Sequence, residues 1–353
     1  MKSLGGRFAG LTLVFVSLLW ITPGFGDQGS AAVKTAVKNV DENVAETLME
    51  RLAGSLYTEP LDEQGKYARM LYRITGNKVW LNTATAELYI ASDRLLKFSH
   101  SLRNDLLRKE AALDAGWLKK DDDILLFQDY VFYSFMVLPE LNRLHYSSLE
   151  LKGNAGDRLE KVISGFDFRP GLQSAEVIRR FAPNQAEQVY ALINLGLGDY
   201  RKLYIEAFKR VYPAHLDKKL TKEQLNHKWK AMTHLVLAAS DFLQGPVNDS
   251  LVTWVPQYFR DYPDSVLKEA NSELLAKIGI CLHLTGHHSS TLLHLIHQKL
   301  ISELPKDSGD SLRRWETLLL NWTNQYFPDP PLFRMKHFQG RIPLTLLPST
   351  GGH

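Results

Sequence analysis

The amino-acid sequence predicts an all-α fold made of antiparallel helical hairpins, on three observations. From Asp41 onward apolar residues recur every three or four positions rather than every two, the period that lays one stripe along a helix. Runs of alternating strand type are scarce, and no strand–helix–strand rhythm occurs. Three segments share one pattern: an apolar helix, a turn on a glycine and a second amphipathic helix. With 44% hydrophobic and 23% charged residues among 353, the chain is neither collagen-like nor of low complexity.

The first element reads as a targeting segment. Lys2 and Arg7 stand before the uncharged apolar run Phe8–Thr22, which Pro23 ends and the small residues Gly24 and Gly26 follow. A positive start, a short apolar centre and small residues before the cut describe a secretory signal spanning residues 1–26, cleaved before Asp27. The apolar run is shorter than the roughly 20 residues that span a bilayer. No later stretch is long and apolar enough to span, so no membrane span is expected after cleavage. The expected location is periplasmic or secreted. Removing residues 1–26 takes away two positive charges and no negative ones, leaving 40 basic against 39 acidic residues. A balance so near neutral carries no footprint for nucleic acid. The lone Cys281 forms no internal disulfide, and in its apolar run it reads as a small buried hydrophobe.

Residues 27–325 read as one all-α hairpin domain. Val44, Leu48, Leu52 and Leu56 form one stripe; Tyr67, Leu71 and Ile74 form a second; Leu81, Ala84, Leu88 and Ile90–Ala91 form a third. A long apolar helix is expected from Asp123, with Asp121–Asp123 at its positive end and Pro139 kinking or breaking it. The hairpin units begin at Tyr67, Val189 and Lys277 and turn on Gly76, Gly198 and Gly286. Glycine there supplies the left-handed position that stops the first helix, and Asp199 and Asn77 are suited to cap the restart. The units are spaced 122 and then 88 residues apart, which disfavours a regular solenoid. From Tyr326 to His353 five prolines exclude a long helix, and this segment reads as a tail packed on the body.

The segment Leu71-Tyr-Arg-Ile-Thr-Gly76-Asn-Lys-Val-Trp80-Leu, with Ala84 beyond, resembles the hairpin unit of α/α-toroid proteins. That group includes six-hairpin glycosidases and α/α-barrel polysaccharide lyases. The resemblance implies an α/α-toroid-like or incomplete-barrel arrangement, and a saccharide or small-molecule ligand in a central helical cavity. A second resemblance lies in Thr233–Phe242 and Glu273–Leu282. These are similar to motifs of uncharacterised exported bacterial all-helical families of unknown function, and the likeness implies no activity.

Candidate chemistry begins with His227, His234 and Asp241, spaced by seven and so on one stripe of a single helix. At 1.5 Å per residue, neighbours stand about 10 Å apart, too far for a dyad or a shared metal without partners from other helices. His234 and Asp241 are the expected catalytic residues, with His227 lining the same groove. His234 lies among apolar neighbours and could serve as a neutral general base or as a core histidine bonded to a neighbouring helix. His283, His287, His288, His294 and His297 cluster around the third turn. No carboxylate lies between Lys277 and Gln298 to complete a zinc set, so no metal and no cofactor are expected. The single cysteine also departs from the cysteine-ligated zinc toroids. Asp121, Asp122, Asp123, Asp129, Glu140, Asp249, Asp261 and Asp264 are available as a glycosidase pair, but sequence cannot pair them. Trp254 and Tyr258, with Phe259 and Tyr262 nearby, could stack sugar rings or simply pack. No Walker A, dinucleotide-binding, kinase or G-x-S-x-G pattern occurs. The opposing functional class is a non-catalytic helical scaffold that binds a protein or peptide partner.

Overall fold

The structure, a computed structural model, describes residues 44–326 apart from 45, 61–62, 66, 69–70, 72–78, 103, 118–127, 146–151, 241, 244–246, 248 and 304–313. Residues 1–43, Gly76, Asp121–Asp123, Asp241 and residues 327–353 thus lie outside the described residues. By its contacts the chain divides into residues 1–40 and 41–353, and every described element belongs to the second unit. Among the described residues all regular structure is helical, and there is no strand.

Residues 46–55 are helical, and Leu48, Leu52 and Leu56 are buried along the expected stripe. The longer elements follow as α1 Val79–Ser101, α2 Asp105–Asp114, α3 Gln128–Val131, α4 Leu138–His145 and α5 Gly153–Ser164. Next come α6 Arg169–Gln173, α7 Ala175–Asn194, α8 Arg201–Val211 and α9 Lys222–Ala239. The last are α10 Trp254–Asp261, α11 Pro263–Glu269, α12 Ser272–Leu284, α13 Thr291–Glu303 and α14 Arg314–Tyr326.

Two prolines are accommodated inside helical runs rather than ending them. Between α3 and α4 the backbone widens into a π-helix over Phe132–Val137, closed by the Leu138 N–H donating to the Tyr133 carbonyl. Pro139 is the second residue of α4. The wider turn carries the chain past a residue that cannot donate, so the expected break becomes a π-bulge. In α7, Pro183 coincides with a kink at Phe181 (φ −126°, ψ 16°). The Arg179 carbonyl that Pro183 cannot reach accepts from the Tyr212 hydroxyl at 3.5 Å.

The glycine turns follow the expected logic, with one change of residue. α7 ends in a Schellman arrangement: Gly196 has φ +71°, and the Leu197 N–H donates to the Leu192 carbonyl at 2.8 Å. Gly196, two residues before Gly198, therefore holds the left-handed stop. Asp199 accepts from the Arg201 N–H at 3.1 Å as the chain restarts into α8. α12 ends the same way at Gly286, with the His287 N–H donating to the Leu282 carbonyl at 2.7 Å.

Helix packing has a consistent order. α1 packs on α4, α4 on α7, α7 on α9, α9 on α12, and α12 on α14. Each contact carries polar ties as well as apolar area. Arg143 bridges Glu87 of α1 and Glu140 of α4, and Arg94 of α1 also reaches Glu140 at 3.0 Å. Asn194 of α7 donates to Asn142 of α4 at 3.3 Å. The Cys281 thiol of α12 donates to the Thr233 carbonyl of α9 at 3.6 Å, and Ser272 donates to Glu316 of α14 at 2.7 Å. Arg314 of α14 in turn meets Glu63 at 3.5 Å and lies over the Tyr67 ring. The region 46–71 that carries those two residues touches α1, through Tyr57 on Thr83 and through Trp80 against the cluster of Leu52, Leu56, Ala68 and Leu71.

The π-segment is locked to α7 by a buried polar network. Tyr130 donates to Gln188 at 2.6 Å, Gln188 to Ser134 at 2.8 Å, and Gln185 to both Tyr130 and the Gly171 carbonyl. Gly171 is needed there because a Cβ at that position would stand 2.3 Å from the Tyr130 ring. Gly171→Ala is therefore expected to destabilise the fold by about 1–3 kcal/mol, the usual range for overpacking, read as a lower midpoint in chemical denaturation. An unchanged midpoint would mean that α6 can retreat from Tyr130 without loss.

Candidate functional site

The site is built on α9. Thr221 and Gln224 form a reciprocal capping box at its start. Leu225, Trp229, Met232 and Val236 are buried on the core side. His227, Lys230 and His234 recur at intervals of three and four, so they share the edge of α9 away from Lys228 and Trp229. His234 lies against α7, its Nδ1 2.7 Å from Oε1 of Glu187. The two groups are at ion-pair distance, but the ring nitrogen is not aligned on the carboxylate for a hydrogen bond. Both ring nitrogens of His234 are buried and make no hydrogen bond among the described residues. His227 is hydrogen-bonded to the backbone of Ile178, and its pKa is lowered by burial first and by the neighbouring Lys230 second.

Lys230 also faces α12. Burial works to raise the Glu273 carboxyl, but Lys277, Lys230 and Arg314 outweigh it and hold the pKa below the usual value. Lys277 bonds Glu273 at 2.5 Å, is almost fully buried, and places its ammonium 4.9 Å from the centroid of the Trp315 ring. Burial lowers its pKa, with Glu273 opposing the effect. The face shared by α7, α9, α12 and α14 thus carries an oriented imidazole, two carboxylates, and lysine and arginine cations. Those groups can orient polar ligand groups and move a proton at His234.

The aromatic candidates sit elsewhere. Tyr258 packs on the opposite side of α9, where Trp229 Nε1 donates to its hydroxyl at 3.0 Å. That hydroxyl donates to Asp217 Oδ2 at 2.5 Å, and Lys228 donates to Asp217 Oδ1 at 2.6 Å. Burial raises the Tyr258 pKa, and the bond to Asp217 adds to the rise. Burial lowers that of Lys228, with Asp217 opposing. This cluster floors a cleft of about 700 Å³ between the turn Ala214–Lys219, the start of α9, α10 and α11. Trp254 does not line that cleft; it packs on Phe208 under Lys209, whose ammonium is 4.4 Å from the centroid of the indole ring.

The histidine cluster spans the α12–α13 turn. The His283 ring stacks on His288 at 6.3 Å and meets His297 edge-on at 6.5 Å. Among the described residues no group of three or more His, Cys, Asp or Glu is arranged to hold a metal ion. His294 instead contacts Gln298 at 2.9 Å, and His287 contacts Thr285 at 3.1 Å.

Comparison with known proteins gives one result. Residues 41–309 match the family model of a domain of unknown function, DUF3541. The chain belongs to this family. No curated protein and no solved structure matches it.

Within the DUF3541 region the expected residues divide. His227 and His234 share a face, while Tyr258 and Trp254 pack on other sides, and Asp241 lies outside the described residues. Three of the candidate carboxylates are engaged structurally: Asp129 with Arg108, Glu140 with Arg94 and Arg143, and Asp249 with Arg201 and Tyr190. Glu187, Asp217 and Lys228 were not singled out from sequence. Only Lys228 left a trace, as a cation at a core-facing position beside Trp229.

Burial lowers His283 to about 3 and His297 to about 4, with neighbouring histidines adding to both shifts. Unfolding thus takes up protons: the free side chains protonate below about 6.5, the folded ones only near 4 and 3. Stability from this cluster is complete above pH about 6.5 and is lost as pH falls toward 4. His297→Leu should flatten that loss in denaturation curves at pH 7, 5.5 and 4.5. A pH slope identical to the wild type would remove His297 from the account.

Proposed function

We propose that this chain is an exported all-α protein that binds or processes a saccharide-like ligand on the polar face of α9, with His234 as its acid–base group. The observation that carries the reading is an imidazole, His234, whose Nδ1 stands 2.7 Å from the Glu187 carboxylate and whose two buried ring nitrogens make no hydrogen bond among the described residues. A carboxylate beside Nδ1 favours the proton there and would leave Nε2 as the acceptor, the arrangement a general base needs. His227, Lys230 and Glu273 lie along the same face and would hold hydroxyl groups. Asp241, seven positions after His234 and beyond the end of α9 at Ala239, remains assigned as the second catalytic residue from the sequence alone.

An α/α-toroid-like or incomplete-barrel arrangement is part of the proposal. What supports it is the order of helix neighbours α1, α4, α7, α9, α12 and α14, with Glu63 and Tyr67 touching α14 from a segment that also packs on α1. Export is supported by the pattern of residues 1–26, which lie ahead of the family region beginning at residue 41. No described helix is long and apolar enough to cross a membrane.

A protein-binding scaffold is the second reading. It is favoured by Tyr89 and Leu96, each half exposed and seven residues apart on one face of α1, and by Leu106 and Leu107 on α2.

The test is a glycan panel assayed for binding and turnover with the wild type, His234→Ala, Glu187→Gln and Asp241→Ala. Loss of turnover by about a hundredfold or more in His234→Ala is expected, the scale of one general acid–base group. Glu187→Gln should show a smaller loss. Equal activity in all four proteins would sink the assignment, and absence of any ligand would favour the scaffold.

A further inference from the structure

The cleft on the far side of α9 stands apart from the His234–Glu187 face. Its floor is fixed and its charge is partly spent. Both oxygens of Asp217 are taken, one by Lys228 and one by the Tyr258 hydroxyl. Glu269 on the rim has Lys268 at 3.3 Å. The remaining rim cations, Lys218 and Lys222, are exposed and make no ion pair among the described residues. Between them and α11 stands Tyr262, 42% exposed, its ring 4.9 Å from that of Tyr258. Lys228 backs the pair from below, 4.5 Å from the centroid of the Tyr258 ring. His215, Ser265 and Glu269 add hydrogen-bonding groups to the wall. A volume near 700 Å³ falls in the range of small-molecule sites.

We infer that this cleft binds an acidic sugar of the uronate type. The open tyrosine offers a flat apolar face on which a pyranose ring can stack. Lys218 and Lys222 offer charge-assisted hydrogen bonds to a ring carboxylate. Ser265, His215 and Glu269 match the donors and acceptors of ring hydroxyls. Free phosphate would use the lysines and leave the tyrosine idle. A polynucleotide would require a basic tract, and the whole chain carries only +3.

The test is calorimetric titration of the full chain with trisaccharides of galacturonate, glucuronate and mannuronate, with maltotriose as the neutral control and inorganic phosphate as competitor. The proteins compared are the wild type, Lys218→Ala/Lys222→Ala, Tyr262→Ala and His234→Ala, each checked for an unchanged denaturation midpoint. All substituted cleft residues are exposed, so folding should be preserved. At least one uronate should bind the wild type about tenfold more tightly than maltotriose, the scale of one charge-assisted contact. The lysine double variant and Tyr262→Ala should each lose about tenfold in affinity, while His234→Ala should bind as the wild type does. That last arm separates this site from the proposed one on the α9 face. Binding of no uronate, equal binding by the cleft variants, or phosphate competing at the uronate's own affinity would each overturn the inference.

Discussion

The structure depends on α9 being packed on two sides at once. It lies against α7 and α12, the neighbours that also tie it to α4 and α14, and it buries Trp229, Met232 and Val236 completely. A helix held this way directs its polar side chains by packing, and it still keeps Nε2 of His227 and both ring nitrogens of His234 buried without a hydrogen bond among the described residues. Each polar residue of α9 is consequently assigned by its angle around the axis. Those at 227, 230 and 234 meet α7 and α12. Those at 228 and 229 meet Asp217 and Tyr258 on the opposite side. The two candidate sites are two faces of one helix, and the helical period separates them.

This geometry explains why the sequence was informative about architecture and reticent about chemistry. The stripes Leu48–Leu52–Leu56 and the α9 and α12 runs are legible because core burial imposes a period that one helix carries within itself. The turn glycines are legible for the same reason, since a left-handed stop is a local requirement; the shift from Gly198 to Gly196 reflects two glycines two residues apart in one loop. Pro139, expected to kink or break its helix, and Pro183 show the opposite case. A proline's local cost is readable, but the π-widening at Phe132–Val137 and the carbonyl rescue by Tyr212 are tertiary remedies.

The site residues that sequence missed are partners by contact, not by spacing. Glu187 stands 47 positions before His234 and on another helix. Asp217 serves Lys228 and Tyr258 from a short turn whose own pattern, Leu-Asp-Lys-Lys, reads as a solvated charge run. Stripe geometry said that His227 and His234 awaited partners from other helices, and no feature of the linear pattern could say which. The aromatic run Trp254–Tyr262 was open to sugar stacking or to packing; in the fold it is divided, with Trp254 on Phe208 and Tyr258 and Tyr262 on the cleft.

The account turns on the His234–Glu187 contact, and the ring nitrogens report on it directly. Long-range nitrogen–proton correlation spectra of the imidazoles, at a pH where His234 is neutral, distinguish its two tautomers. The account predicts Nδ1–H, with Nε2 as the bare acceptor, and a change in that population in Glu187→Gln. A His234 ring protonated at Nε2, or one whose tautomer is indifferent to Glu187→Gln, would contradict it.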